Sequence, residues 1–142
     1  MEDLNLPKAP FSTALAQVLN ILKLENVSLS LLLCNDERIR ELNNLYRGKD
    51  KPTDVLSFAQ REGEFADPND PILGDIVISM DTARKQAIEY NQPLSAELEL
   101  LIVHGVLHLL GYDHIEDDEA HIMETKENEL CAQLDVDWSS LS

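Results

Sequence analysis

The stretch His104-Gly-Val-Leu-His108-Leu-Leu-Gly-Tyr-Asp-His114 is the most informative part of the chain, because it holds three of its four histidines. His104 and His108 are one helical turn apart, so their side chains share one face of a helix. Gly111 predicts the end of that helix and a turn that brings His114 over the same face. Three imidazoles with an open fourth position are typical of a catalytic zinc site. We therefore predict one Zn²⁺ per chain, held by His104, His108 and His114.

The same spacing occurs in the H-x-x-x-H-x-x-G-x-x-H part of the metzincin protease motif. Those proteases carry a general-base Glu directly after the first His, whereas this chain has Gly105. A zinc metalloprotease is therefore a disfavoured alternative. The fourth histidine, His121, lies in an acidic stretch, and we expect it to be a solvent-exposed residue.

Composition indicates a soluble globular protein with one domain spanning residues 1–142. Hydrophobic residues make up 44% of the 142 residues, and no apolar run approaches the roughly 18 residues that a membrane-spanning helix needs. The start, Met1-Glu-Asp-Leu, is acidic where a signal peptide would be basic. Cys34 and Cys131 are too few for a disulfide framework and predict buried free thiols in a reducing compartment. We expect a cytoplasmic protein that does not bind membranes.

The charge distribution bears on nucleic-acid binding. A net charge of −16 argues against it, because nucleic acids repel acidic surfaces. However, residues 38–61 hold six of the eleven basic side chains against three acids, a balance of +3, whereas residues 97–142 hold twelve acids against one base, a balance of −11. Any RNA contact is therefore expected to depend on this basic segment, residues 38–61.

Hydrophobic periodicity predicts helices at 11–24, 36–46, 81–91, 94–110 and 116–134, and strands at 27–33, 54–59 and 73–80. Ser12 is expected to cap the first helix, and Asn35 or Asp36 the second. In the second helix Leu45 is predicted to point inward. Helices mixed with a few strands, without strict alternation, predict an α+β fold with a small mixed sheet and about five helices.

A second motif is Tyr46-Arg-Gly-Lys-Asp-Lys-Pro-Thr-Asp-Val-Leu-Ser-Phe58. Arg47 offers a rigid fork that binds phosphate in a bidentate manner and stabilises charge on its oxygens. Thr53 and Ser57 can hydrogen-bond either a phosphate or the local backbone. Asp113, beside the third histidine, can orient a metal ligand or simply hold the turn. For these last three residues the sequence leaves both interpretations open.

Together the two motifs resemble the bacterial YbeY endoribonuclease family, as do the segments Leu73-Gly-Asp-Ile-Val-Ile78 and Asp113-His-Ile-Glu-Asp-Asp-Glu-Ala120. The resemblance implies a compact α+β domain of zincin-like topology. It implies zinc ligation by the three histidines of the first motif and a catalytic role for Arg47. Family members usually begin with an extra strand, for which residues 1–8 leave only a stub around Leu4 and Leu6.

The resemblance also implies an activity, namely zinc-dependent, single-strand-specific cleavage of RNA. The expected roles are maturation of the 3′ end of small-subunit ribosomal RNA and quality control of ribosomes. The implied partners are single-stranded RNA, rRNA and ribosomal particles, together with ribosomal or ribosome-assembly proteins. An alternative of another class is a non-catalytic, ribosome-associated RNA- or protein-binding module whose zinc is structural, with His121 as the spare ligand.

Overall fold

The computed structural model describes residues 8–24, 26–59, 71–112 and 117–141. Within these ranges the α-helices are α1 (Ala9–Ile21), α2 (Asp36–Arg47), α3 (Met80–Glu89), α4 (Leu94–Leu109) and α5 (Asp117–Gln133), and the strands are β1 (Ser28–Cys34), β2 (Val55–Ala59) and β3 (Ile72–Ser79). A short 3-10 helix, Ser139–Leu141, follows α5. The predicted α+β class, with a small mixed sheet and five helices, is confirmed. The possible N-terminal stub at Leu4 and Leu6 lies outside the described residues.

The sheet has the order β1-β3-β2, with β1 parallel and β2 antiparallel to the central β3. Ile76 at the centre of β3 pairs with Leu31 of β1 on one side and Ser57 of β2 on the other. β3 is buried on both faces, which explains its nearly continuous apolar sequence. Successive side chains of β3 point to opposite faces of the sheet, so the sheet separates two hydrophobic clusters.

The larger core lies on the face of β3 that carries Ile76 and Ile78, and α1, α3, α4 and α5 contribute to it. The smaller cluster lies on the opposite face, where α2 covers the sheet through Ile39, packed with Cys34, Leu56 and Val77. Among the described elements α2 is the helix that covers this face, and residues on its outer side are exposed to solvent. Leu45, predicted to point inward, is instead 73% exposed, and that prediction is wrong.

Helix α4 is the long buried helix that the sequence predicted, and Gly105 sets its distance from the sheet. A Cβ atom at Gly105 would lie 2.9 Å from Ile76 Cγ2 and 3.0 Å from Ile76 Cδ1, inside the 3.5–4.0 Å of an ordinary carbon–carbon contact. The backbone of α4 therefore packs directly on β3. Position 105 therefore faces the core. His104 and His108 lie on a neighbouring side of α4.

Side chains cap the starts of α2 and α3, and one predicted cap is wrong. Asn35 caps α2, since its side chain accepts a hydrogen bond of 2.8 Å from Arg38 N. The predicted cap Ser12 lies inside α1 and donates its N–H to Lys8 O. The helix starts earlier because Pro10 fits its first turn, where no N–H is needed.

The N-termini of α2 and α3 are joined by one carboxylate. Asp36 accepts hydrogen bonds from Ser79 Oγ (2.6 Å) and Thr82 Oγ1 (2.5 Å), and it also pairs with Lys85 Nζ at 2.9 Å. Burial raises the pKa of Asp36, but these three hydrogen bonds and the lysine charge outweigh it and hold the pKa below its ordinary value.

The segment after α5 returns to α1 and α4. The Trp138 ring packs edge-to-face on Phe11, with centroids 5.1 Å apart, and its indole N–H donates to Glu99 at 2.9 Å. Gln17 and the backbone of Asp135 exchange two hydrogen bonds of 2.7 and 2.8 Å. Across the described part of the chain, no helix has the length and apolar character needed to cross a bilayer.

Candidate metal and RNA-cleavage site

His104 and His108 converge on one side of α4. Their Nε2 atoms lie 3.1 Å apart, and their rings meet at 73° with centroids 4.6 Å apart. Both side chains are half-buried at the C-terminal end of the helix. The predicted i,i+4 pair is therefore brought together, with one nitrogen of each ring directed at the same point.

The geometry of this pair fits a divalent metal. Zinc–imidazole bonds of about 2.0–2.1 Å at tetrahedral angles place two ligand nitrogens roughly 3.3 Å apart, close to the observed separation. Two neutral imidazoles are donors that zinc favours. A metal at this point would be held by His104 Nε2 and His108 Nε2.

The third predicted ligand, His114, and its neighbour Asp113 lie outside the described residues. The helix end predicted at Gly111 is confirmed, whereas the predicted approach of His114 to the histidine pair stays a prediction. α4 ends at Leu109, and Gly111 has a φ of +100° and donates its N–H to His108 O at 3.0 Å. Within the described ranges no group of three or more His, Cys, Asp or Glu side chains could surround a metal, as expected when only two of the three predicted histidines belong to those ranges.

Glu127 of α5 lies behind His104. Its Oε1 is 2.7 Å from His104 Nδ1, and the two side chains are 26% (His104) and 14% (Glu127) exposed. Sequence reasoning did not single out this residue. A signal was present, because Met123, Glu127 and Leu130 follow i, i+4, i+7 spacing, which places the glutamate on the apolar face of α5.

An acidic cavity of about 190 Å³ opens beside His104. It is lined by residues from α3 and its C-terminal end, from α4, from α5 and from the segment before β2: Asp54, Gln86, Tyr90, Glu97, Leu100, Leu101, His104 and Glu127. Glu97 is only 1% exposed and accepts a hydrogen bond of 2.5 Å from Gln92. Gln86, with its amide nitrogen turned toward them, donates to Glu97 at 2.7 Å and to Asp54 at 3.3 Å.

Burial raises the pKa of the Glu97 carboxyl; the hydrogen bond from Gln92 opposes this, and the negative charge of Asp54 adds to it. The cavity is therefore a poor place for a phosphate group, since three carboxyl groups face it. An RNA backbone would have to approach His104 and His108 from another side.

Arg47 is the last residue of α2, exposed, and followed by Gly48 with a φ of +69°. The Tyr46 ring contacts Phe58 of β2 at 5.2 Å, which fixes this end of α2 over the edge strand. Arg47 is not among the residues that line the cavity. The structure thus places Arg47 and the histidine pair on elements that cover opposite faces of the sheet, with β2 between them.

Ser57 and Thr53 of the second motif, both expected to bind either phosphate or the local structure, have protein partners in the structure. Ser57 Oγ donates to Gly105 O at 3.3 Å, which ties β2 to α4 directly beside His104. Thr53 Oγ1 lies 3.4 Å from Asp54 Oδ1. In the basic segment, Arg40 pairs with Asp50 at 2.8 Å.

Outside the site, His121 is exposed, as predicted. The Cys34 thiol is buried and the Cys131 thiol half-buried. Burial, with smaller contributions from the charges of Glu99 and Glu127, raises the pKa of Cys131 to about 11. Neither thiol is placed to act as a metal ligand with the histidine pair, since a ligand must be deprotonated and lie at the site.

Comparison with known proteins identifies relatives for nearly the whole chain. The model of the family described as "Endoribonuclease YbeY" matches residues 2–135. Endoribonuclease YbeY of Heliobacterium modesticaldum is 49% identical over 126 residues, covering 82% of this chain and 76% of the relative. The protein of that name from Aquifex aeolicus is 55% identical over 101 residues, covering 71% and 65%.

Among solved structures, the chain is similar to the solution structure of TM1509 from Thermotoga maritima. The TM-score is 0.66 at 28% identity, and the similarity covers 92% of this chain and 84% of that one.

Proposed function

The chain belongs to the endoribonuclease YbeY family, and we propose that it is a single-strand-specific, zinc-dependent endoribonuclease of ribosomal RNA processing. Membership confirms the resemblance drawn from the two sequence motifs, and with it the enzyme class, a nuclease and therefore a hydrolase. In this proposal residues 1–142 form one cytoplasmic catalytic domain. It matures the 3′ end of small-subunit rRNA and takes part in ribosome quality control. Its partners are ribosomal particles and ribosomal or assembly proteins.

The observation that supports the proposal most is the convergence of His104 Nε2 and His108 Nε2 at 3.1 Å. Two imidazoles held this way on a buried, rigid helix are preorganised for a metal, and His114 is the proposed third ligand. A Zn²⁺ ion held by these three histidines would supply the Lewis acidity that activates a water at neutral pH. No carboxylate base is then required at position 105.

The chain's own residues supply orientation and charge. His104 and His108 would hold the ion through their Nε2 atoms, and Gly105 lets the backbone of α4 pack directly on the sheet. Arg47 is the proposed group for the non-bridging phosphate oxygens, because a guanidinium binds two of them at once. The charge distribution supports a path for RNA along the exposed basic side chains between residues 38 and 51 rather than through the acidic cavity.

The packing of Gly105 also weighs against a protease. A metzincin-like base would have to occupy position 105, where a side chain would meet Ile76 in the core rather than face the histidine pair. For Thr53, Ser57 and Asp113 the proposed roles are to hold the local structure or to contact the substrate.

The test incubates zinc-loaded protein with an unstructured RNA, its DNA counterpart and casein. We expect RNA cleavage alone, abolished by a chelator and by His104→Ala, and retained in His121→Ala, which removes an exposed histidine. Chelator-sensitive cleavage of casein would favour the protease alternative. Tight RNA or ribosome binding without cleavage, unchanged by His104→Ala, would favour the binding module with structural zinc.

Arg47→Ala should lower the rate of RNA cleavage by on the order of 10²–10³, because one donor to the transition-state charge is lost. Arg47→Lys should restore little, since an ammonium lacks the fork. The matched control is Arg84→Ala, which removes an exposed arginine from α3. Cleavage by Arg47→Ala at the rate of this control would show that Arg47 is an ordinary surface residue.

A further inference from the structure

We propose that Glu127 is a positioning residue that fixes the tautomer and orientation of His104 for metal binding. This role rests on the zinc site of the proposed function, and it extends that site to α5, a helix without a proposed ligand. The geometry that carries it is the 2.7 Å contact between Glu127 Oε1 and His104 Nδ1.

An imidazole has two nitrogens, and only one can bind the metal at a time. Nε2 of His104 faces Nε2 of His108, so Nδ1 is the nitrogen left for a second partner. A carboxylate at Nδ1 accepts a hydrogen bond and so holds the proton there. The lone pair then stays on Nε2, where the pair of histidines converges, and the carboxylate makes that nitrogen a stronger donor.

The position of the carboxylate is fixed by the core. Met123 and Leu130 are each 1% exposed and lie one turn on either side of Glu127 along the same face of α5. Their burial against α4 determines where the Glu127 side chain sits. Glu127 is half-buried and lines the cavity beside His104, whereas its neighbours Glu124 and Glu129 are exposed. A glutamate whose only role was to keep the surface soluble would lie on the exposed side of α5, as Glu124 and Glu129 do.

The arrangement couples the docking of α5 to the metal site. Glu127 is 23 residues from His104 in sequence, and the two helices are held together by the larger core. Displacement of α5 would therefore free His104 to rotate or change tautomer even though α4 itself is intact.

The first measurement is zinc affinity by competition with a chromophoric chelator, at one fixed pH. Glu127→Ala should bind zinc about 10–100-fold more weakly than the unmodified chain, the range seen when such outer partners are removed. Glu127→Gln should lose less, because an amide oxygen still accepts from Nδ1 but carries no charge. The matched controls are Glu129→Ala and Glu129→Gln, exposed on the other side of α5, and these should bind zinc normally.

The second measurement is made on the metal-free protein, using ¹⁵N–¹H correlation spectra of the imidazoles. His104 should carry its proton on Nδ1 in the unmodified chain and in Glu129→Ala. In Glu127→Ala that preference should be lost, while circular dichroism stays the same. A purely structural role for Glu127 would alter stability without changing the tautomer.

Two outcomes would overturn the role of Glu127: zinc affinity of Glu127→Ala within about twofold of Glu129→Ala, or an unchanged His104 tautomer in a folded variant. If Glu127→Ala does not fold, Glu127→Met decides by the same two measurements, because methionine fills the same position on α5 and offers Nδ1 no oxygen acceptor. Failure of the unmodified chain to bind zinc would instead refute the proposed zinc site, and the competition assay separates the two cases.

Discussion

Replacement of Gly105 by alanine tests whether the contact of α4 with β3 is as close as the structure indicates. The new Cβ would lie 2.9 and 3.0 Å from two atoms of Ile76, about 0.5–1 Å inside an ordinary contact. Overpacking of this kind costs about 1–3 kcal/mol, whereas alanine gains about 1 kcal/mol over glycine in a helix. We expect a net loss of about 0–2 kcal/mol in the free energy of unfolding, measured by urea denaturation.

The decisive comparison is a double-mutant cycle with Ile76→Ala, which removes all three side-chain atoms that the new Cβ would meet. In that background the overlap is gone, and Gly105→Ala should stabilise the protein by about 1 kcal/mol. The coupling between the two sites should therefore be about 1–3 kcal/mol. Equal stabilisation by Gly105→Ala in both backgrounds would mean that the helix lies farther from the sheet, and the reasoning would be refuted.

Two further predictions concern titration and reactivity. The pKa of Asp36 is held below its ordinary value of 3.8. Its stabilising effect on the fold is therefore complete above pH 3.8 and is lost as the pH falls through the lowered pKa. The difference in thermal stability between the unmodified chain and Asp36→Asn should shrink from about pH 6 to about pH 3, and a constant difference would contradict this. A pKa of about 11 for Cys131 leaves roughly 100-fold less thiolate at pH 8 than in a free cysteine. Alkylation of Cys131 by iodoacetamide, followed by peptide mass spectrometry, should accordingly be slow in the folded chain and rapid in urea; equal rates would show that the thiol is exposed.

The elements with strong periodicity could be predicted from the sequence because burial determines both pattern and structure. α4 is apolar on most of its surface, and its observed bounds, Leu94–Leu109, differ from the predicted 94–110 by one residue. The turn at Gly111 and the facing of His104 and His108 followed from spacing alone. These features depend on contacts within one turn or one strand, which the local sequence specifies.

The errors and omissions have long-range causes. Leu45 fits the apolar spacing of α2, but the small cluster that this helix covers ends before it, at Ile39 and Leu42. Glu127 was not singled out from the sequence, because its partner His104 is 23 residues away along the chain. The sequence showed that position 105 holds no general base. It did not show why a glycine is needed there, because the reason is the close packing of α4 on Ile76 of β3.

The contacts of Trp138 provide a natural spectroscopic probe. It is the one tryptophan of the sequence, and it lies between Phe11 of α1 and Glu99 of α4. Its fluorescence therefore reports the closure of a loop of more than a hundred residues, whereas far-ultraviolet circular dichroism reports the helices. Coincident unfolding curves from the two signals would indicate a single cooperative transition, and an earlier change in fluorescence would reveal that this corner opens before the helices melt.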